Sequence, residues 1–331
     1  MLNKKIILWS CLALAVIICL WLVQGMLPVG GNSKKVVRIP SGTSASEVGG
    51  ILKADGIIRS AFGFRLLARV TGKGTNLKPG AYELSPAMSP LAVINKIAKG
   101  DVCAKWVTVP EGFTILQIAE RLGAEGLVES DAFLNRATQN GASYRTSFPH
   151  PADNLEGYLF PDTYLIPTGE SADEIIQDML NCFERRVAKP LADDLAKSDM
   201  SLHQIITLAS LIEREARVPK DRPLISAVLR NRLREGMRLQ VDATVLYALG
   251  RHKDRVLYKD LAVDSPYNTY KNPGLPPGPI ANPGLASIKA ALYPAQADYL
   301  YYVARHDGSH IFSRTFAEHQ RARQIAQRGG G

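Results

Sequence analysis

Only four cysteines occur in the 331 residues, and aromatic residues make up just 7% of the chain. Cys11 and Cys19 sit in an apolar stretch, where they serve as small apolar residues. Cys103 and Cys182 lie far apart without metal-ligand spacing. They can form at most one disulfide and read instead as two buried thiols. No Gly-rich phosphate loop follows a strand, no Gly-x-Ser-x-Gly elbow is present, and no cysteine carries a nucleophile motif. His306, His310 and His319 lack the spacing of a zinc site. These absences predict neither a cofactor nor a metal. The net charge is +9, yet no long Lys/Arg run appears. A scattered excess of that kind fits a solvated basic surface as well as an acidic partner. Without a zinc-finger, helix-turn-helix or RNP pattern, nucleic acid is not an expected partner.

Charge is also missing between Lys5 and Lys34, and an apolar run from Ile6 to Val23 fills most of that gap. At about 1.5 Å per residue, such a run is long enough to cross a hydrocarbon core of roughly 30 Å. A cleaved signal peptide has a shorter apolar centre and a small-x-small cleavage site, which is not found after Val23. The expectation is an uncleaved single-pass anchor over 6–27. Lys4 and Lys5 hold residues 1–5 in the cytoplasm, and the bulk of the chain is then extracytoplasmic. A short linker over 28–35 follows, marked by Gly30-Gly31-Asn32-Ser33.

Beyond the linker one pattern recurs. Val36–Ile39 reads as a strand ending in a Pro-Ser-Gly turn, and Ser44 with Glu47 has capping-box spacing ahead of Val48, Ile51 and Leu52. Trp106–Val109, the turn Pro110-Glu111-Gly112, and Thr114 with Gln117 repeat it. A weaker copy runs from Tyr82–Leu84 to Ser89-Pro90, an N-cap with proline at the first helical position. Strand–turn–helix units of this kind predict an α+β fold, with a small module over 36–101 and a mixed α+β domain over 102–331. In the latter, helices are expected over Ser171–Arg186, Ser201–Arg217 and Pro223–Glu235. A long proline-dense loop follows from Asp264 to Pro283, and two strands, Tyr299–Arg305 and His310–Ser313, precede a last helix. A loop that long in a compact domain is usually functional.

The helix from Ser201 carries the candidate chemistry. At about 100° per residue, His203, Thr207, Ser210, Arg214 and Arg217 share a polar face. Glu213 falls in the sector of Leu202, Ile206, Ala209 and Ala216, where desolvation favours the neutral carboxyl that a general acid requires. Glu215 lies about 200° further round and does not share its pocket. Two readings stand open at Glu213: a catalytic acid, or a carboxylate paired with an arginine at the edge of a core. Gln240, Asp242 and Thr244 alternate just before a short helix, and Tyr267-Asn268-Thr269-Tyr270 sets aromatic faces beside amide and hydroxyl groups. Sugars are held by that mixture of flat apolar faces and directed hydrogen bonds.

At these residues the sequence resembles the endolytic murein transglycosylases of the MltG (YceG-like) family. The likeness runs over nearly the whole chain and rests on five motifs in order: Glu156–Tyr164, Leu208–Glu215, Arg238–Thr244, Tyr267–Tyr270 and Gly274–Gly284. Arg214 stands for the motif's lysine, and Ala243 occupies a position where many members carry proline. The resemblance implies an enzyme cutting the MurNAc–GlcNAc bonds of nascent peptidoglycan glycan strands to leave 1,6-anhydro ends. On it, Glu213 is the expected general acid and base, with Glu156, Gln240, Asp242, Asn268 and Tyr270 as substrate-binding residues. It also implies that 36–101 is a LysM-like glycan-binding module rather than a mere spacer, and that peptidoglycan synthases are partners. Two rivals remain: a hydrolytic muramidase using Asp242 or Asp264 as second carboxylate, and a non-enzymatic glycan-binding scaffold for those synthases.

Overall fold

The computed structural model describes residues 24–25, 27–31, 33–40, 42–250 and 256–328. The expected cytoplasmic segment, nearly all of the expected anchor and the closing glycines lie outside the described residues. Among the described residues no helix is long and apolar enough to cross a membrane. Packing divides the chain into two compact units. One comprises the described residues up to Trp106 together with Leu165–Glu170, and the other Val107–Tyr164 with Ser171 onward.

In the first unit, β1 (Lys35–Ile39) pairs antiparallel with β2 (Gly80–Leu84), Lys35 opposite Leu84 and Ile39 opposite Gly80. Helix α1 (Ala45–Ala54) starts where the sequence predicts: Ser44 Oγ accepts from the Glu47 N–H, and the Glu47 carboxylate accepts from the Ser44 N–H at 2.7 Å. Helix α2 (Ala61–Val70), capped by Ser60, carries no such box and is not anticipated by the sequence reading. Helix α3 (Pro90–Lys99) begins behind Ser89 with proline in its first turn and stops at Gly100, whose φ of 79° is the left-handed conformation glycine adopts freely. Val37 and Ile39 face inward from β1 onto Val48, Leu52, Phe64, Ile94 and Ile97. Burial of each such aliphatic side chain contributes about 1.5–3 kcal/mol. Tyr82 is fully buried, and its hydroxyl donates to the Lys78 carbonyl at 2.8 Å, so that this hydroxyl is not stranded in the core. Strand β3 (Ala104–Thr108) pairs with β4 (Thr163–Pro167), and the division between the units falls within both strands.

The second unit is mostly helical. It contains α4 (Ile115–Ala124), α5 (Ser130–Gln139), α6 (Ala172–Phe183), α7 (Ala192–Lys197), α8 (Leu202–Glu215), α9 (Arg222–Arg234), α10 (Asp242–Ala248) and α11 (Leu285–Leu292). The hairpin β5 (Tyr301–Ala304) and β6 (His310–Ser313) turns at Asp307-Gly308, with Tyr302 opposite Phe312, and α12 (Phe316–Arg328) packs on it. Helix α8 is the axis of this unit, held between α9, α10 and α11. Every residue from Ile205 to Ile212 is buried, so the helix is covered all round rather than on one stripe. Its polar positions are satisfied internally. Thr207 Oγ1 donates to the His203 carbonyl at 2.7 Å, and Ser210 Oγ accepts the Ile280 N–H at 3.0 Å from the proline-dense loop. Cys182 is buried and Cys103 partly exposed, and both are free thiols.

Candidate active site

Four of the sequence motifs gather on α8, which carries the fifth. Asn282, completely buried, links two of them, its own and that of Glu156–Tyr164, to the turn before α4. Its Oδ1 accepts from the N–H groups of Gly157 and Leu159, each at 3.0 Å, and its Nδ2 donates to the Phe113 carbonyl and to Glu156 Oε1, each at 3.0 Å. Gly157 has φ 90°, and a Cβ there would lie 2.5 Å from Pro279 Cγ and 2.8 Å from Ile206 Cγ2. Only glycine lets these segments close on α8. Two further motifs zip together through threonine: the Val241 N–H donates to Thr269 Oγ1 at 3.0 Å, and Thr244 Oγ1 lies 2.9 Å from the same atom.

The end of α8 presents two carboxylates to different surroundings. Glu213 Oε2 accepts the Gly284 N–H at 3.0 Å, and Oε1 lies 3.6 Å from Arg222 Nη2, whose Nε donates to Ser287 Oγ at 3.1 Å. Its side chain is 7% exposed. The expected aliphatic sector therefore describes this residue incompletely, because a cation and a peptide N–H stand beside it. The Glu111 carboxylate lies against the same glycine, close enough that a Cβ at 284 would sit 1.8 Å from its Oε1. Desolvation, and then the charge of Glu213, raise the Glu111 carboxyl above its ordinary range, with Arg222 opposing.

Glu215 faces the other way. Its Oε2 accepts from the Tyr302 hydroxyl at 3.0 Å, and it is partly buried. Burial pushes its carboxyl up to about 7; the charge of Asp242 adds to this, while Tyr302 and Arg214 act against it. Asp242 opens α10, is exposed, and accepts a short hydrogen bond from the Tyr270 hydroxyl. Gln240, also exposed, is the one non-glycine residue with positive φ (54°) among the described residues. An off-region backbone beside a cluster of titratable groups is where functional sites store strain. This face thus holds a carboxyl poised near neutrality, an exposed carboxylate and phenolic hydroxyls, which is a set able to give and take a proton beside a polar ligand.

The residues expected from sequence divide accordingly. Asp242 and Tyr270 gather round Glu215, and Gln240 stands two residues before Asp242. Glu213 stands with Arg222 and Glu111. Glu156 and Asn268, also expected to touch substrate, are both buried in this structure. Glu156 is 4% exposed and accepts from the Ile115 N–H that starts α4, from Asn282 and from Tyr247. Asn268 is fully buried; its Nδ2 donates to the carbonyls of Leu261 and Val263 at 3.0 and 2.8 Å, and its Oδ1 accepts the Tyr270 N–H at 3.0 Å. Both spend their polar atoms on tying segments of the site together. Asp264, the alternative second carboxylate, is fully exposed and pairs with Lys271 at 3.5 Å. Sequence reasoning missed Glu111, Tyr302 and the environment of Glu215. The periodicity of α8 separates the two glutamates but says nothing of what the distant hairpin brings to each. A depression of about 470 Å³ lined by Arg230, Asn231, Arg234 and residues 294–298 contains none of these groups.

The profile of the YceG-like family matches residues 37–325. The chain is 40% identical over 316 residues to the endolytic murein transglycosylase of Bacillus subtilis, a match covering 90% of this chain and 86% of that protein. The protein of the same name from Streptococcus pneumoniae serotype 2 is 32% identical over 315 residues, covering 86% of this chain and 57% of that one. Among solved structures, a yceG-like protein from Listeria monocytogenes superposes with a TM-score of 0.57 at 42% identity, over 88% of this chain and 99% of that chain.

Proposed function

The chain belongs to the YceG-like family, and from that premise we propose that it is an endolytic murein transglycosylase whose general acid and base is Glu215. One observation carries the choice of residue. Glu215 alone combines a carboxyl near 7 with Asp242, Tyr270 and Tyr302 about it. In the proposed reaction the protonated Glu215 gives its proton to the glycosidic oxygen as the bond from the muramyl C1 to that oxygen breaks, and GlcNAc leaves with a free 4-hydroxyl. The muramyl 6-hydroxyl attacks C1 and returns its proton to the Glu215 carboxylate, which leaves a 1,6-anhydro end and consumes no water. Exposed Asp242 faces the positive charge developing at C1, and Gln240 and Tyr270 hold the sugar. A general acid works best with a pKa near the operating pH, which the desolvated Glu215 meets.

A second reading keeps Glu213 as the acid, favoured by its deeply buried side chain. Its Arg222 and Gly284 partners speak instead for a structural carboxylate that ties α8 to α9 and α11. Purified full-length protein and the Glu215→Gln and Glu213→Gln variants, incubated with uncrosslinked glycan strands and read by mass spectrometry, separate the two. The expected result is anhydro-muramyl products from wild type and Glu213→Gln and none from Glu215→Gln. Hydrolysed reducing ends would replace the transglycosylase with a muramidase, in which Asp242 directs water. Unchanged products from Glu215→Gln would return the role to Glu213.

The apolar run before residue 24 supports a single-pass anchor with the enzyme outside the cytoplasmic membrane, and the strand–helix pattern of the first unit supports a LysM-like glycan-binding role. Contact with peptidoglycan synthases fits an enzyme so anchored beside its polymer.

A further inference from the structure

The hydroxyl of Tyr302, on the β5–β6 hairpin, reaches the proposed acid but takes no part in the bonds that break and form. It donates to Oε2 of Glu215 at 3.0 Å. The ring that carries it is held in place. Tyr302 lies edge-on to His310 at 5.4 Å and 85°, and Phe312 packs beside it at 6.3 Å. His310 is itself fixed, because its backbone N–H and Nδ1 lie 2.8 and 2.9 Å from Asp221 Oδ2, with both side chains under 5% exposed. The phenol is therefore preorganised by a buried pair on a separate strand and helix end, rather than by the ligand.

A protonated carboxyl has one hydroxyl oxygen and one carbonyl oxygen, and an O–H donor pairs with the latter. We propose that Tyr302 is a positioning residue for the proton transfer: by occupying Oε2 of Glu215 it confines the acid proton to Oε1. This rests on Glu215 being the acid. The same contact then favours the carboxylate left after the proton has gone, so Tyr302 steadies both halves of the cycle. Other charged and titratable groups face this pair. Arg214 comes from α8 and Asp242 from the start of α10, Tyr270 belongs to the loop, and Arg232 of α9 acts on both tyrosines. Of these groups, Tyr302 is the one that donates a hydrogen bond to the Glu215 carboxylate among the described residues.

The test compares full-length wild type, Tyr302→Phe and Glu215→Gln on uncrosslinked glycan strands, with kcat and KM followed from pH 4.5 to 9. Phenylalanine keeps the ring against His310 and Phe312 and removes only the donor. The expected result for Tyr302→Phe is a plateau kcat lower by about tenfold, with KM little changed, since the interaction serves the proton in flight. The alkaline limb should move to higher pH by about one unit, because the ionised acid has lost a donor. The position of that limb does not depend on how much of a preparation is folded, so a merely structural role would leave it in place. An unmoved limb with Glu215→Gln inactive overturns the role of Tyr302 alone; an active Glu215→Gln overturns the acid assignment and this inference with it.

Discussion

Glu156 offers a stability measurement whose sign follows from its surroundings. It is 4% exposed, and burial pushes its carboxyl up to about 8, although Ile115, Tyr247, Gly157 and Asn282 all contribute hydrogen bonds that favour the charged form. In the unfolded chain the same group titrates near its ordinary value of 4.5. Below that value both states are protonated and its contribution is complete. Between 4.5 and 8 the unfolded state sheds the proton while the folded state keeps it, so stability falls as pH rises; above 8 it levels off. At about 1.4 kcal/mol per pH unit the window amounts to roughly 5 kcal/mol. Glu156→Gln removes the titration and keeps the shape. Its amide carbonyl can accept from Ile115 and Asn282, and its NH2 can face the Tyr247 oxygen. Urea denaturation of wild type and variant, followed by far-UV circular dichroism from pH 4.5 to 9, should give curves that diverge with rising pH, with the variant the more stable at pH 8. Relative to Glu156→Gln, Glu156→Ala leaves the Ile115 N–H and one hydrogen of Asn282 Nδ2 without a partner and should cost about 2–4 kcal/mol at every pH. Parallel curves for wild type and Glu156→Gln would mean that the buried carboxyl is ionised throughout, and the argument from desolvation would fail here.

Two further outcomes follow from the Glu215 face. Asp242→Asn removes the charge that helps raise Glu215, so the alkaline limb of activity should move to lower pH, opposite in sign to Tyr302→Phe; an unmoved limb would separate Asp242 from the acid. Gln240→Gly relieves the positive φ, so stability should rise by about 0.5–1 kcal/mol while glycan cleavage falls for want of the side chain. Full activity in that variant, measured by product release, would show the backbone strain to be unrelated to substrate.

Much of the architecture is legible because it is local. The boxes at Ser44 and Thr114, the proline behind Ser89 and the Asp307-Gly308 turn each specify their element within a few residues, and each forms as expected. Helices α2 and α5 escape such reading: α2 has an N-cap but no box, and α5 has no side-chain cap bond at all. In the site, residue types are legible while roles are not. Glu156 and Asn268 carry the polar chemistry of ligand contacts, but their partners are groups of the protein itself: the Ile115 N–H, Asn282 and Tyr247 for Glu156, and neighbouring loop backbone for Asn268. Only the closed fold reveals that they are spent.

The two glutamates of α8 make the same point about acidity. Periodicity correctly places them on different sides of the helix, and it assigns the more apolar sector to Glu213. Apolar neighbours along one helix are, however, a small part of what a carboxylate meets. Glu213 receives Arg222 from α9 and a peptide N–H from the start of α11, which bind a charge. Glu215 receives a phenol from β5 and a second carboxylate from α10, one orienting a proton and the other resisting its loss. What distinguishes an acid from an ion pair here is the sign of the groups delivered across the fold. Two of the segments that deliver them, the loop that ends at Gly284 and the β5–β6 hairpin, lie far from α8 in sequence. It is therefore the loop and the hairpin, more than α8 itself, that decide which glutamate performs the chemistry.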